Sequence, residues 1–121
     1  PNLGLVIPTM ALGGHGTANM TGNLIPREMA VISKPWTTGE DAFACRAAWL
    51  DNLPILHFAY SAINPVAVKS LMRVMGLPSG PLRKPLQPLA PEALQAGIDA
   101  LSALEVDRRY GFRLQPALAA E

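Results

Sequence analysis

The chain has 121 residues, of which 50% are hydrophobic and 16% are charged, and its formal net charge is +1. Its lysines and arginines are scattered rather than clustered, which argues against a nucleic-acid-binding protein. The longest apolar stretch, residues 53–63, is too short to cross a bilayer and contains His57, so no membrane segment is expected. The low share of charged residues predicts one domain that buries apolar surface against further protein, from a longer chain or from a partner subunit.

Few residues could support metal or thiol chemistry. Cys45 is the only cysteine and is surrounded by alanine and phenylalanine, so it is predicted to be a small buried hydrophobe rather than a reactive thiol. His15 lies in a glycine loop and is expected at the surface, whereas His57 lies among apolar residues and is expected in a core or an interface. Neither histidine has clustered carboxylates near it, so no metal site is predicted.

The first element is an apolar run over residues 3–12. Pro8 cannot donate to a strand ladder, so a short buried helix that ends at Gly13 as its C-cap is favoured. The periodicity of this run fits a strand nearly as well.

The chain is organised around residues 13–29. Three glycines within residues 13–16 predict a tight connection, residues 17–21 are predicted to form a strand, and Pro26 opens a helix. This order is typical of a β/α unit in a parallel sheet. A lone strand would leave its ladder unpaired, so either the strand prediction is wrong or its partners lie in residues outside this sequence, and the second interpretation is favoured. The glycine pattern matches neither G-x-G-x-x-G nor the P-loop lysine pattern, and it leads into the strand rather than out of it, which argues against a phosphate-binding loop.

Helices are predicted from Pro26 onward. The first runs to about Trp36, and Thr38 or Gly39 caps the second, which Pro54 should kink after about Leu50. Three- and four-residue spacing along the second helix predicts a stripe of side chains that faces the core. That stripe comprises Phe43, Ala47, Leu50, Leu53, His57 and Tyr60.

The C-terminal half is also predicted to be helical. Asn64 and Pro65 should cap and open a helix that ends at Gly76, and the proline-rich residues 77–90 should form an extended connector. A last helix begins at Pro91 and carries leucines and an isoleucine on one face. The final residues are expected to fray. The predicted division is a β/α region at residues 1–37, a helical region at 38–106 and a tail at 107–121.

Four motifs in register resemble the C-terminal portion of the dihydrodipicolinate synthase / N-acetylneuraminate lyase family. The resemblance implies an α/β fold, namely a (β/α)8 TIM barrel followed by three helices. Residues 17–21 would be the eighth barrel strand, the first seven strands would lie upstream, and this segment itself would be mostly α-helical. A full barrel needs roughly 200 residues or more. The motifs are Gly-Gly-His-Gly-Thr-Ala-Asn at 13–19 with Gly-Asn-Leu-Ile-Pro at 22–26, Asn-Pro-Val-Ala-Val-Lys at 64–69, Met-Gly-Leu at 75–77, and Leu-Arg-Lys-Pro-Leu-Gln-Pro-Leu at 82–89.

The chemistry implied by the resemblance is that of a class I lyase or aldolase. In this family a lysine on the sixth strand forms a Schiff base with pyruvate or a related 2-oxo acid, and a tyrosine on the fifth strand relays protons. Lys34, Lys69 and Lys84 do not lie at the C-terminal end of a strand, and Tyr60 and Tyr110 fall in helical and tail positions. No catalytic residue is therefore assigned to this segment, which should be inactive alone.

The resemblance implies that Ala18, with Thr17 and Asn19 beside it, contacts the 2-oxo acid. Family synthases more often carry a branched apolar residue at the position of Ala18 and a serine at that of Asn19, so this pocket should be roomier and more polar. A lyase or dehydratase acting on a sugar-derived or aromatic 2-oxo acid therefore stays open beside the synthase.

Further expectations follow from the resemblance. The enzyme should be a cytoplasmic homo-oligomer, a homotetramer or a dimer, with a small-molecule substrate and with no metal or organic cofactor. As an isolated fragment, residues 1–121 should be prone to aggregation, because an apolar barrel face would have no cover. The alternative, of a different class, is a non-catalytic barrel relative or a helical interaction module.

Overall fold

The computed structural model describes residues 3–115, and this part of the chain is built from α-helices and short 3₁₀-helices. The 3₁₀-helices cover Leu3–Leu5 and Met20–Asn23. None of the helices in this range is long and apolar enough to cross a bilayer. The α-helices are α1 (Val6–Ala11), α2 (Pro26–Ile32), α3 (Gly39–Asp51), α4 (Leu53–Ala59), α5 (Val66–Val74), α6 (Pro91–Ala103) and α7 (Val106–Tyr110).

The strand predicted at residues 17–21 is not formed. Residues 14–19 have no regular secondary structure, and residues 3–115 contain no strand at all. Asn19 has the extended backbone of a strand, with φ −136° and ψ 129°, but no second extended segment in this range pairs with it. The prediction also missed that Asn19 caps the 3₁₀-helix Met20–Asn23, which takes over the end of the expected strand. Of the predicted α/β fold, residues 3–115 therefore show the helices but not the strand.

The helix predicted before the glycine loop is confirmed as α1. The Gly13 N–H donates to the Met10 carbonyl at 3.1 Å and the Gly14 N–H donates to the Thr9 carbonyl at 2.9 Å, which is the Schellman pattern of helix termination. Gly13 has φ +90°, and a Cβ on Gly14 would lie 2.8 Å from the Thr9 carbonyl oxygen. The glycines therefore serve to end a helix and to bring the chain close over it.

The connection from α2 to α3 is held by Asp41. The predicted cap is confirmed: the Thr38 hydroxyl accepts the Asp41 N–H at 3.3 Å, and the Asp41 carboxylate in return accepts the Thr38 N–H at 3.0 Å. The same carboxylate accepts the Thr37 N–H at 2.9 Å and forms an ion pair with Lys34. The Lys34 ammonium, followed by the Thr37 hydroxyl and N–H, holds the pKa of Asp41 well below its ordinary value. Because α2 ends at Ile32, the helix is shorter than predicted.

The stripe predicted to face the core is wrong. Phe43 is 71% exposed and Leu50 is 48% exposed, whereas Cys45 is fully buried on the opposite side of α3. Apolar residues occur all around α3, so their spacing does not identify one face. The break expected from Pro54 is confirmed, because α3 ends and α4 begins on either side of Asn52. The register of α3 therefore does not continue into α4.

Helix α5 begins differently from the prediction. Its first residue is Val66, its N-cap is Pro65, and the Asn64–Pro65 peptide bond is cis. The Val66 N–H donates to the Ile63 carbonyl at 2.9 Å, so residues 63–66 form a turn and the Asn64 side chain caps no helix. The predicted end at Gly76 is confirmed, since Gly76 has φ +73° directly after the C-cap residue.

The proline-rich connector at residues 77–90 is confirmed as a segment without regular helix or strand. It lies along α5, where Lys69 Nζ donates to the Pro81 carbonyl at 2.8 Å and Arg73 donates to the Gly80 carbonyl at 3.3 Å. Helix α6 begins at Pro91 as predicted, and its buried side includes Leu94, Ile98 and Leu101, with Leu104 half-buried beyond its end.

The segment predicted to be a tail contains α7. Tyr110 accepts the Arg27 N–H at 2.9 Å and donates to the Glu28 carboxylate, which also pairs with Arg109. These contacts dock α7 onto α2. The residues predicted to fray, 116–121, lie outside the described range. The division at residues 37/38 and 106/107 stays a prediction.

The helices share one hydrophobic core. Gly97 allows α6 to approach α4 and α5 closely, because a Cβ at this position would lie 2.5 Å from the Phe58 ring and 2.8 Å from Leu71. The fully buried residues at the centre of this core include Val6, Leu24, Ile25, Ile32, Ile55, Leu56, Leu71, Val74, Leu101 and Val106.

Replacing Gly97 with valine should destabilise the protein by about 1–3 kcal/mol, because the added methyl groups would overlap Phe58 and Leu71. The matched control is Ala96→Val, an exposed neighbour in α6 that carries the same β-branched penalty without the overlap. The free energy of unfolding from denaturant titration would measure both. Equal losses in the two variants would contradict the close packing at Gly97.

Asp41 should make stability depend on acid pH. Its folded pKa is below the ordinary value of 3.8, so its contribution is fully present above that pH and is lost as the pH falls below it. Asp41→Asn should therefore unfold at a lower temperature than the parent near neutral pH, and the difference should shrink between about pH 5 and pH 2. Asp51→Asn, on the exposed side of the same helix, is the control. A difference between the parent and Asp41→Asn that stays constant with pH would contradict the role of this carboxylate.

Candidate functional site

The residues predicted to contact substrate lie within residues 15–19, the extended segment, which has no regular secondary structure and ends in the extended backbone of Asn19. It leaves the glycine turn and enters the 3₁₀-helix Met20–Asn23, and its burial alternates: Ala18 is exposed, whereas Thr17 and Asn19 are half-buried. In extended backbone, alternate side chains point to opposite sides. Ala18 therefore lies on the open side of the segment, and Thr17 and Asn19 lie on the side of the helices.

Asn19 is anchored at both ends of its amide. Its Oδ1 accepts the Thr21 N–H at 2.9 Å, and its Nδ2 donates to the Tyr60 hydroxyl at 3.0 Å. Tyr60 is the C-cap residue of α4, and Met20–Asn23 packs against both α4 and α5. The amide of Asn19 thus fixes the segment to the helical region through contacts within the chain itself.

Thr17 differs from Asn19 in its hydrogen bonding. Its Oγ1 is buried and has no hydrogen-bond partner among the described residues. A buried hydroxyl without a partner costs about 1–3 kcal/mol. Thr17 is therefore the predicted site residue whose polar atom is still unpaired, whereas Ala18 offers only a methyl group.

A second polar cluster joins α2 to α7. An open groove of about 630 Å³ is lined by residues of α2, α3 and α6 and by the segment from Glu105 onward. Two of its lining residues, Glu28 and Arg109, form an ion pair, and Glu28 also accepts the Tyr110 hydroxyl. The Arg27 guanidinium lies 5.1 Å from the centre of the Tyr110 ring. Burial, and then the hydrogen bond to Glu28, raise the pKa of Tyr110. The Glu28 carboxylate and the Tyr110 hydroxyl therefore bind α7 to α2.

Sequence patterns could not have found this cluster. Glu28 and Tyr110 are separated by 82 positions, and Tyr110 was assigned to a tail. Only the dense charge around Tyr110, with Asp107 and the arginines beside it, was visible as a signal.

The other candidate residues are not brought together. His15 is exposed, as predicted, and His57 is exposed as well, which corrects the prediction of a core position for His57; its predicted interface position stays a prediction. Cys45 is confirmed as a buried thiol; burial raises its pKa, and its Sγ donates to the Ile32 carbonyl at 3.3 Å. Within residues 3–115, no three His, Cys, Asp or Glu side chains are arranged as metal ligands would be.

Most of the chain matches one protein family. The model of the Dihydrodipicolinate synthetase family matches residues 4–104, the range from the first 3₁₀-helix to the end of α6. The chain belongs to this family. The resemblance inferred from the sequence motifs is thereby confirmed.

Individual members of the family agree. The chain is 33% identical over 104 residues to the 4-hydroxy-tetrahydrodipicolinate synthase of Methanosphaerula palustris, and the match covers 84% of this chain and 35% of that enzyme. It is 32% identical over 89 residues to the enzyme of the same name from Methanococcoides burtonii, a match that covers 74% of this chain and 30% of that one.

A solved structure of the family has the same fold over this region. A crystal structure of dihydrodipicolinate synthase superposes with a TM-score of 0.78 at 28% sequence identity, and the match covers 87% of this chain and 36% of that one. The chain therefore spans about a third of the length of these relatives.

Thr17→Val should leave the free energy of unfolding unchanged or raise it, because valine keeps the shape and removes a buried hydroxyl that has no partner. Thr38→Val is the contrast, since it removes the hydroxyl that caps α3 and should cost about 1 kcal/mol. Thermal unfolding of both variants beside the parent would measure this. A loss in Thr17→Val as large as that in Thr38→Val would contradict an unpaired hydroxyl.

Proposed function

We propose that this chain is the C-terminal segment of a Schiff-base lyase or aldolase that acts on pyruvate or a related 2-oxo acid. It would comprise the last strand and flanking helices of a (β/α)8 barrel, followed by the C-terminal helical region. The observation that carries the proposal is the family match over residues 4–104, which includes the extended segment and every helix from α1 to α6.

The contribution of the segment would be one wall of the substrate pocket. Ala18 lies on the open side of the extended segment, where its methyl group would leave room for a substituent on the 2-oxo acid. This small side chain supports a substrate larger than pyruvate itself.

The reacting groups would come from outside residues 1–121. A Schiff-base lysine must be neutral to attack and is therefore held in a mostly buried pocket. Lys34 is bound to Asp41, Lys69 is bound to the Pro81 carbonyl, and Lys84 is exposed in the connector. None of these lysines suits the role, and the segment alone would be inactive.

The complete enzyme would be a cytoplasmic homo-oligomer, a homotetramer or a dimer. Several large apolar side chains of the described residues are open to solvent, which supports their burial against further protein. These include Leu12 at 90% exposure, Phe43 at 71% and Ile63 at 70%.

The test is to trap the Schiff base in the full-length protein that contains this segment. Incubation with pyruvate and borohydride, followed by intact-mass measurement and peptide mapping, should find one reduced adduct on a lysine outside residues 1–121. Larger 2-oxo acids tested in the same way would rank the substrates. The controls are the same incubation without borohydride and the isolated segment with it.

Two outcomes would contradict the proposal. An adduct formed stoichiometrically on Lys34, Lys69 or Lys84 would place the chemistry in the segment itself. No adduct with any 2-oxo acid of the panel would favour a barrel relative that has lost its chemistry.

A further inference from the structure

We infer that Tyr60 is a positioning residue for the 2-oxo acid site, which it reaches through Asn19. The inference rests on the proposed function, since it assigns a role in the same pocket to a residue of the C-terminal helical region. Tyr60 itself follows α4 and need not touch the substrate. Its hydroxyl would determine where Ala18 lies.

The extended segment has little else to hold it. Within residues 3–115, residues 15–18 form no backbone hydrogen bond with another part of the chain, and the Thr17 hydroxyl is unpaired. No strand in this range pairs with them. The first side-chain anchor after Ala18 is the amide of Asn19, whose backbone carbonyl also accepts the Gly22 N–H at 3.2 Å.

The two hydrogen bonds of the Asn19 amide fix its side chain from opposite ends. Oδ1 accepts the Thr21 N–H two residues ahead, and Nδ2 donates to the Tyr60 hydroxyl, 41 positions along the chain. The local bond would form wherever Met20–Asn23 forms. The bond to Tyr60 is different, because it ties the backbone next to Ala18 to a separate helix.

Tyr60 is itself well placed to act as an anchor. Its N–H donates to the His57 carbonyl at 3.1 Å, and the residues just before it, Phe58 and Ala59, are buried in the core. A phenol ring on a fixed backbone has only two side-chain torsions to lose, so its hydroxyl is held at low entropic cost. A displacement of this hydroxyl would therefore be transmitted to Asn19 and to the wall residue beside it.

Two variants of the full-length protein remove this bond from its two sides. Tyr60→Phe deletes the hydroxyl and keeps the ring. Asn19→Ser keeps an oxygen that can cap Met20–Asn23, since serine is as good an N-cap as asparagine, but its side chain is too short to reach Tyr60. Each variant should raise KM for the 2-oxo acid by about three- to tenfold, the range expected for one hydrogen bond, with a smaller change in kcat. The double variant should be no worse than either single one.

Tyr110→Phe is the matched control. It too removes a tyrosine hydroxyl, but the partners of this hydroxyl are the Arg27 N–H and the Glu28 carboxylate of α2, and neither belongs to the extended segment. It should lower the unfolding temperature and leave KM unchanged. A merely structural role for Tyr60 would give the same pattern in Tyr60→Phe, and that result would overturn the inference.

A readout without substrate separates this inference from the proposed function. The Thr21 N–H donates to Asn19 Oδ1. Its hydrogen exchange should be several-fold faster in Tyr60→Phe and unchanged in Tyr110→Phe. If the parent forms no adduct with any 2-oxo acid, the proposed function fails whatever the exchange shows. If the parent forms the adduct and both KM and exchange are unchanged in Tyr60→Phe, the inference fails and the proposed function stands.

Discussion

The burial of one short turn organises this structure. Met20–Asn23 lies where α2, α4 and α5 meet, and Thr21 within it is completely shielded from solvent, as are Leu24 and Ile25 just after it. A buried turn must satisfy its backbone polar groups, and here Asn19 accepts the Thr21 N–H while the Thr21 carbonyl accepts the N–H groups of Leu24 and Ile25. Asn19, which pairs with the backbone of this turn, also fixes the extended segment before it through its bond to Tyr60. Core packing and the geometry of the candidate site therefore depend on the same turn.

Much of the local architecture could be predicted because it follows from backbone chemistry. Gly13 and Gly76 both end helices in the left-handed conformation, Thr38 caps α3, and Pro91 opens α6. Each signal depends only on a residue and its immediate neighbours, so it can be interpreted without knowing the fold. The family motifs are similarly local, and they indicate the correct family from the sequence alone.

The errors arose where an element depends on distant residues. The strand at residues 17–21 needs a partner to exist, and no part of residues 3–115 supplies one. The face of α3 could not be chosen from its spacing, because alanines and aromatic residues surround the helix; packing selected Cys45 and left Phe43 outside. The bond between Asn19 and Tyr60 was invisible for the same reason, since nothing in the pattern of one segment refers to the other. The sequence identified the three candidate positions, Thr17, Ala18 and Asn19. It did not show that Ala18 lies on the opposite side of the segment from the other two.

The connector between α5 and α6 has a consequence for the unfolded protein. Residues 77–90 contain four prolines, whose rings restrict the chain whether or not it is folded. A segment that is already restricted in the denatured ensemble loses less conformational freedom when it becomes ordered. The connector can thus be laid along α5 by bonds from Lys69 and Arg73 to its carbonyls, without the ladder of a helix or a strand. Its order derives in large part from the stiffness of its unfolded state.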